Sequence, residues 1–192
     1  MKKKLLLAML FAALAASPAY AAPYVSGSVG LGMAGDFKEP ALGNVYKNDS
    51  GFALNGAVGY DFDGFRVEGA VGYQENQYSD SDTLGTSLLT FMANGYYDFN
   101  AGGGFKPYVM AGLGIADLKV DDQPASSDPW LDDTYFVWQI GAGVGYEVSS
   151  NVTIDVGYRY LKPEGIDCPN PLHLTGVSWE SHNILAGIRY KF

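Results

Sequence analysis

Ser178, Glu180 and His182 occupy alternate positions near the end of the chain, so an extended segment places all three on one face. A serine, a histidine and an acid are the parts of a nucleophilic hydrolase. The order here does not suit that chemistry. The imidazole must bridge hydroxyl and carboxylate, whereas Glu180 separates Ser178 from His182. In a strand rising about 3.3 Å per residue, the serine and the histidine stand roughly 13 Å apart. His173 precedes them, but no spacing brings it to the serine. No catalytic residue is assigned, and a non-enzymatic role is expected.

The densest carboxylates are Asp121-Asp122 and Asp132-Asp133. Hard cations such as Ca²⁺ or Mg²⁺ take oxygen ligands, yet the spacing is not that of an EF-hand. Loops rich in Asp are usually just solvated, so no metal and no cofactor are assigned. Cys168, within Asp167-Cys168-Pro169-Asn170-Pro171, is the only cysteine. That excludes an internal disulfide framework and a CxxC metal site. With 12 Lys+Arg against 21 Asp+Glu and a net charge of −9, the chain would be repelled by phosphate backbones, and no nucleic-acid partner is expected.

The elements that would position these residues begin after an address segment. Lys2, Lys3 and Lys4 precede an apolar run from Leu5 to Ala16, too short to span a bilayer as a helix. Ser17-Pro18 breaks the run, and Ala19-Tyr20-Ala21 is an A-x-A cleavage site. Residues 1–21 read as a cleaved signal peptide and 22–192 as one domain. Cleavage leaves 171 residues and removes three lysines, taking the charge from −9 to −12.

From there the chain alternates with a period of two, which argues for strands. Eight such segments run Tyr24–Ala34, Phe52–Phe62, Phe65–Gln74, Ser87–Phe99, Phe105–Ala116, Tyr135–Val148, Val152–Leu161 and Ser178–Phe192. Three connections are tight (Asp63-Gly64, Asn100–Gly104, Ser149–Asn151) and rich in the residues hairpin turns require. Four are long: Gly35–Gly51, Glu75–Thr86, Asp117–Thr134 and Lys162–Val177. Short turns at one end and long loops at the other predict an all-β fold. It is an eight-stranded antiparallel up-and-down transmembrane β-barrel.

A soluble barrel shares this alternation, and the composition of the two faces decides. One face carries Leu, Val, Ile, Phe and Tyr; the other carries Gly30, Gly32, Gly59, Gly72, Gly112, Gly114, Gly141, Gly143, Gly145, Gly157 and Gly187 with Ala53, Ala57, Ala70 and Ala116. Glycine is a poor choice for a solvated strand surface. It suits the tight interior of an eight-stranded barrel. The bulky face therefore points outward, where only a bilayer tolerates it.

Fifteen acids and four bases (Lys38, Lys47, Lys119, Lys162) fall in the long loops, leaving that end at about −11. Strand and turn charges are nearly balanced, and nearly all of them lie on the inward face toward the short turns. Asp155 and Arg189 come to similar depth when the last two strands pair. They are expected to form one ion-pair network with Arg159, which Arg66 joins through Glu68 or Glu147. Such a network would plug the narrow bore.

These segments together resemble the OmpA/OmpX-type eight-stranded outer-membrane barrels, especially the opacity-protein-like surface antigens. The resemblance rests on Tyr24–Gly32, Ala93–Phe99, Pro107–Gly114 and Gly157–Tyr160, and covers the whole mature chain. The final Ile188-x-Tyr190-x-Phe192 resembles the assembly signal of that family, which implies the outer-membrane insertion machinery as a partner. No peptidoglycan-binding domain is expected beyond Phe192. The resemblance implies an integral, monomeric protein of the cell outer membrane with both termini periplasmic, contacting membrane lipid and lipopolysaccharide. The expected role is structural or surface contact, adhesin-like or serving envelope integrity, with a host or surface ligand at the four acidic loops. The alternatives are a narrow channel for small or hydrophobic solutes and, further off, a lipid A-modifying hydrolase.

Overall fold

The computed structural model describes residues 21–34, 37–38, 45–46, 50–77, 85–121, 134–164 and 180–192. The strands are β1 (Ala22–Ala34), β2 (Phe37–Lys38), β3 (Val45–Tyr46), β4 (Ser50–Asp61), β5 (Phe65–Gln77), β6 (Gly85–Asp98), β7 (Phe105–Asp121), β8 (Thr134–Glu147), β9 (Val152–Glu164) and β10 (Ser181–Lys191). Eight of them close into an antiparallel barrel in the order β1-β10-β9-β8-β7-β6-β5-β4, while β2 and β3 pair only with each other. The seam between β1 and β10 runs from Tyr24↔Lys191 to Ala34↔Ser181. Closure of this kind leaves no unpaired sheet edge. Of the expected leader, residues 1–20 lie outside the described residues.

The strands run further toward the long loops than the alternation does. Glu75 lies in β5, Asp117, Lys119 and Asp121 in β7, and Lys162 and Glu164 in β9. The sequence assigns these charges to loops. Backbone pairing needs no apolar face, so hairpins continue past the point where side chains stop alternating: β6 and β7 still pair at Gly85↔Asp121.

At the other end the turns are tight. Asp63 and Gly64 both have positive φ (59° and 112°), and Phe62 N–H donates to Phe65 O at 2.8 Å. This is the primed turn whose twist matches the strands it joins, and Asp-Gly is among its preferred dipeptides.

The two faces differ as their compositions require. Val29, Leu31, Leu54, Phe105, Leu113, Ile140, Val156, Ile184 and Ile188 all project outward and are exposed. Tyr60, of the same parity as Leu54, is instead covered. Inside, the loop-end half holds an apolar cluster of Leu88, Met92, Val137 and Leu161 with Ala70, Ala116 and Tyr135. The turn-end half holds Tyr96, Tyr108 and Met110 among charges.

Candidate functional site

Glu68, near the start of β5, is the centre of the turn-end lumen. Its carboxylate accepts from Tyr24 OH at 2.9 Å, Tyr96 OH at 2.6 Å and Asn94 Nδ2 at 3.0 Å. Gln139 Nε2 donates to Asn94 Oδ1 at 2.6 Å, carrying the network across to β8. Arg159 reaches it from β9, donating through Nη2 to Tyr96 OH at 3.3 Å. Buried charge is costly unless its lone pairs and protons are satisfied, and phenols and amides meet that need for Glu68.

Arg66 does not pair with Glu68. The two stand at i and i+2 on one strand, pointing the same way. Arg66 instead forms a fork on Asp98, with Nε to Oδ2 at 2.6 Å and Nη2 to Oδ1 at 2.8 Å. Its guanidinium also lies over the Tyr96 ring, 4.2 Å from the centroid. Glu147 does not join this network either. It takes Lys106 Nζ at 2.7 Å near the rim. Arg189 and Asp155 are brought together at 3.9 Å, too far for a direct hydrogen bond. Lys191 sits 3.7 Å from Asp61.

A single rule underlies three of these pairs. Arg66 faces Tyr96, Lys106 faces Gly145 and Arg189 faces Thr153 in register. Each base then binds the acid two residues further along its neighbour: Asp98, Glu147 and Asp155. Such diagonal neighbours are about 7–8 Å apart at Cα, within reach of long side chains. Sequence reasoning placed Arg66, Glu68, Glu147, Asp155, Arg159 and Arg189 inward but missed Asp98 as a partner. Applying the diagonal to the predicted hairpins would have found it.

Among the described residues, amides and a hydroxyl line the loop-end lumen. Asn183 Nδ2 donates to Ser181 Oγ at 3.1 Å, Ser181 Oγ to Gln74 Oε1 at 2.9 Å, Gln74 Nε2 to Asn76 Oδ1 at 2.7 Å, and Asn76 Nδ2 to Gly32 O at 3.0 Å. This amide ladder stands beside the apolar cluster. Nothing in the alternation pattern distinguished these amides from ordinary inward residues. Among the described residues, cavities of about 30 and 40 Å³ lie within the barrel, and Arg159 lines both. Each has room for a water or two.

Glycines make this filling feasible. Gly143 and Gly157 face each other across β8 and β9, and a Cβ on either would collide with the Tyr108 hydroxyl. Tyr108 can therefore span the bore only because both lack side chains.

On the outer face, His182 Nδ1 shares a hydrogen bond with Tyr158 OH, and Glu180 accepts from Tyr160 OH at 2.7 Å. Ser178, His173, Cys168 and the Asp121-Asp122 and Asp132-Asp133 pairs fall wholly or partly outside the described residues. Ile188, Tyr190 and Phe192, expected to signal assembly, all project outward, and Phe192 N–H donates to Pro23 O at 3.0 Å.

A closed eight-stranded barrel with a lipid-compatible outside and a packed inside defines an integral outer-membrane protein. The chain belongs to the outer membrane protein beta-barrel domain family, whose model matches residues 5–192. It is similar to the outer membrane protein PagN of Salmonella typhimurium, 29% identical over 120 residues, 55% of this chain and 50% of that one. The match therefore spans only half of PagN. It is also similar to the putative adhesin RC1281 of Rickettsia conorii, 24% identical over 182 residues, 81% of this chain and 73% of the other. Among solved structures, the crystal structure of Neisserial surface protein A superposes with a TM-score of 0.64 at 26% identity, covering 88% of this chain and 97% of that one.

Proposed function

We propose that this protein is a non-enzymatic surface-contact protein, adhesin-like in role, whose barrel holds four acidic loops outside the cell. The observation that carries this is the filled lumen. Leu88, Val137 and Leu161 pack one half, and Glu68, Tyr96, Arg66 and Asp98 fill the other. An interior used in this way stabilises a scaffold and leaves the loops as the part free to make contacts. The name of the Rickettsia relative and the likeness to a Neisserial surface protein support the same reading.

In this reading the short turns and both termini face the periplasm. Residues 1–21 are the export signal, and Ile188, Tyr190 and Phe192 present the terminal strand to the insertion machinery. Lipid and lipopolysaccharide surround a monomeric barrel.

The test replaces residues 35–49, 78–84, 122–133 and 165–179 in turn with short Gly-Ser connections. Each variant is displayed on a non-adherent Gram-negative cell. Adherence to cultured epithelial cells should fall for at least one variant while surface amount and barrel folding stay unchanged. Equal adherence by all four and by cells without the protein would overturn the proposal. Surface accessibility of a tag in residues 122–133 tests the orientation separately.

A further inference from the structure

Where the outward apolar belt ends near the long loops, the face changes character. Trp138 on β8 stands opposite Lys162 on β9, and Tyr160 on β9 stands between Ile140 and His182 in register. Ring centroids lie 5.6 Å apart for Trp138–Tyr160, 5.3 Å for Tyr160–His182 and 6.0 Å for Tyr158–His182. The polar edges of these rings are already engaged. Trp138 Nε1 donates to Glu164 Oε1 at 2.8 Å, Tyr160 OH to Glu180 Oε2 at 2.7 Å, and Tyr158 OH meets His182 Nδ1. Immediately toward the turns, Ile140, Val156 and Ile184 are about half exposed, at 51%, 50% and 50%.

Tethering the edges leaves ring faces as the contact surface. A ring face carries the negative part of the aromatic quadrupole, so it attracts C–H and cationic groups and disfavours anions. Glu164 and Glu180 each retain acceptor sites beyond the single hydrogen bond they take here. A bare phosphate would meet two carboxylates and ring faces, all unfavourable. A sugar ring offers apolar C–H faces and several hydroxyl donors, which matches both features.

We propose that this patch binds the sugar headgroup of a glycolipid. Trp138 and Tyr160 form the stacking surface, and Glu164 and Glu180 accept from hydroxyls. The patch looks sideways and is continuous with the hydrocarbon belt, so the ligand arrives in the membrane plane. Its acyl chains lie on Ile140, Val156 and Ile184 while its sugar reaches the rings. The assignment to the outer leaflet rests on the orientation proposed above; the ligand of the loops plays no part.

The experiment uses the full barrel in phosphatidylcholine nanodiscs. Trp130→Phe with Trp179→Phe leaves Trp138 as the sole reporter of the 3 tryptophans. Adding lipopolysaccharide to the lipid mixture should reduce acrylamide quenching of Trp138, and phosphatidylglycerol should not. With Trp138 present, Tyr160→Ala and Glu180→Gln should each weaken lipopolysaccharide retention in native mass spectrometry about tenfold, the ratio expected for one lost contact of about 1.4 kcal/mol. Tyr160→Phe, which keeps the ring, should lose less. Each variant must run faster on a gel unboiled than boiled, as a closed barrel that resists detergent should. Quenching unchanged by lipopolysaccharide, or reduced equally by phosphatidylglycerol, overturns the proposal. Nanodiscs carry the glycolipid in both leaflets, so a wrong orientation would show in the surface-tag experiment and leave this result intact.

Discussion

Arg66 and Asp98 form a two-pronged ion pair across the β5–β6 hairpin, with side chains only 4% and 8% exposed. Bidentate pairs of this kind are geometrically demanding, since two parallel N–H donors must meet two carboxylate oxygens. The register supplies that geometry: Arg66 faces Tyr96, and Asp98 is the diagonal neighbour. The Tyr96 ring beneath the guanidinium links the pair to the Glu68 network.

Arg66→Ala should therefore destabilise the barrel by about 3–5 kcal/mol, because it strands a buried carboxylate. Arg66→Lys should restore little, since an ammonium cannot form the fork. Urea titration of the protein folded in detergent, followed by tryptophan fluorescence, measures both. A loss below about 1 kcal/mol, the range of a surface pair, would contradict the buried geometry.

The Arg189–Asp155 pair predicts a smaller effect. At 3.9 Å without direct hydrogen-bond contact, its coupling in a double-mutant cycle of Arg189→Ala and Asp155→Asn should fall near about 0.5–1 kcal/mol, the low end of the usual range. Strict additivity would show that the two charges do not interact, and coupling as large as that of Arg66 with Asp98 would show a closer contact.

Gly157→Val tests the filling of the bore. The new side chain would enter the space of the Tyr108 hydroxyl, and overpacking of this kind costs about 1–3 kcal/mol. Tyr108→Phe in the same background should recover part of that loss in the same unfolding assay. If Tyr108→Phe gives no recovery, the strain lies elsewhere.

The filled lumen should not conduct. In planar bilayers the wild type is expected to show no steady unitary current, because an apolar cluster fills one half of the lumen and a charge network the other, and the cavities beside them hold about 30 and 40 Å³. A stable, well-defined pore would promote the channel reading over the scaffold reading.

Deleting Phe192 tests assembly. Export should continue, while insertion fails and the protein collects in the periplasm as aggregate or fragments. Quantitative blotting of membrane fractions measures this. Normal outer-membrane amounts of the deleted form would remove the assembly role from Ile188, Tyr190 and Phe192.

The sequence by itself determined the eight strands of the barrel, which end carries the tight turns, and the orientation of the barrel strands' two faces, though it did not foresee the small β2–β3 pair inside the first long connection. These are local properties: a period of two assigns sides, and Asp63-Gly64 fixes a turn without reference to the rest of the chain. It also placed Arg66, Glu68, Asp155, Arg159 and Arg189 in the bore, because parity decides inward from outward. Which acid each base meets was beyond it. That depends on register across neighbouring strands and on a two-residue diagonal, so Asp98 took Arg66 and Lys106 took Glu147. The rings at Trp138, Tyr160 and His182 likewise come from three strands, and only the closed sheet brings them to one patch. Side chains distant in sequence meet only through barrel closure, and closure is a property of the whole sheet.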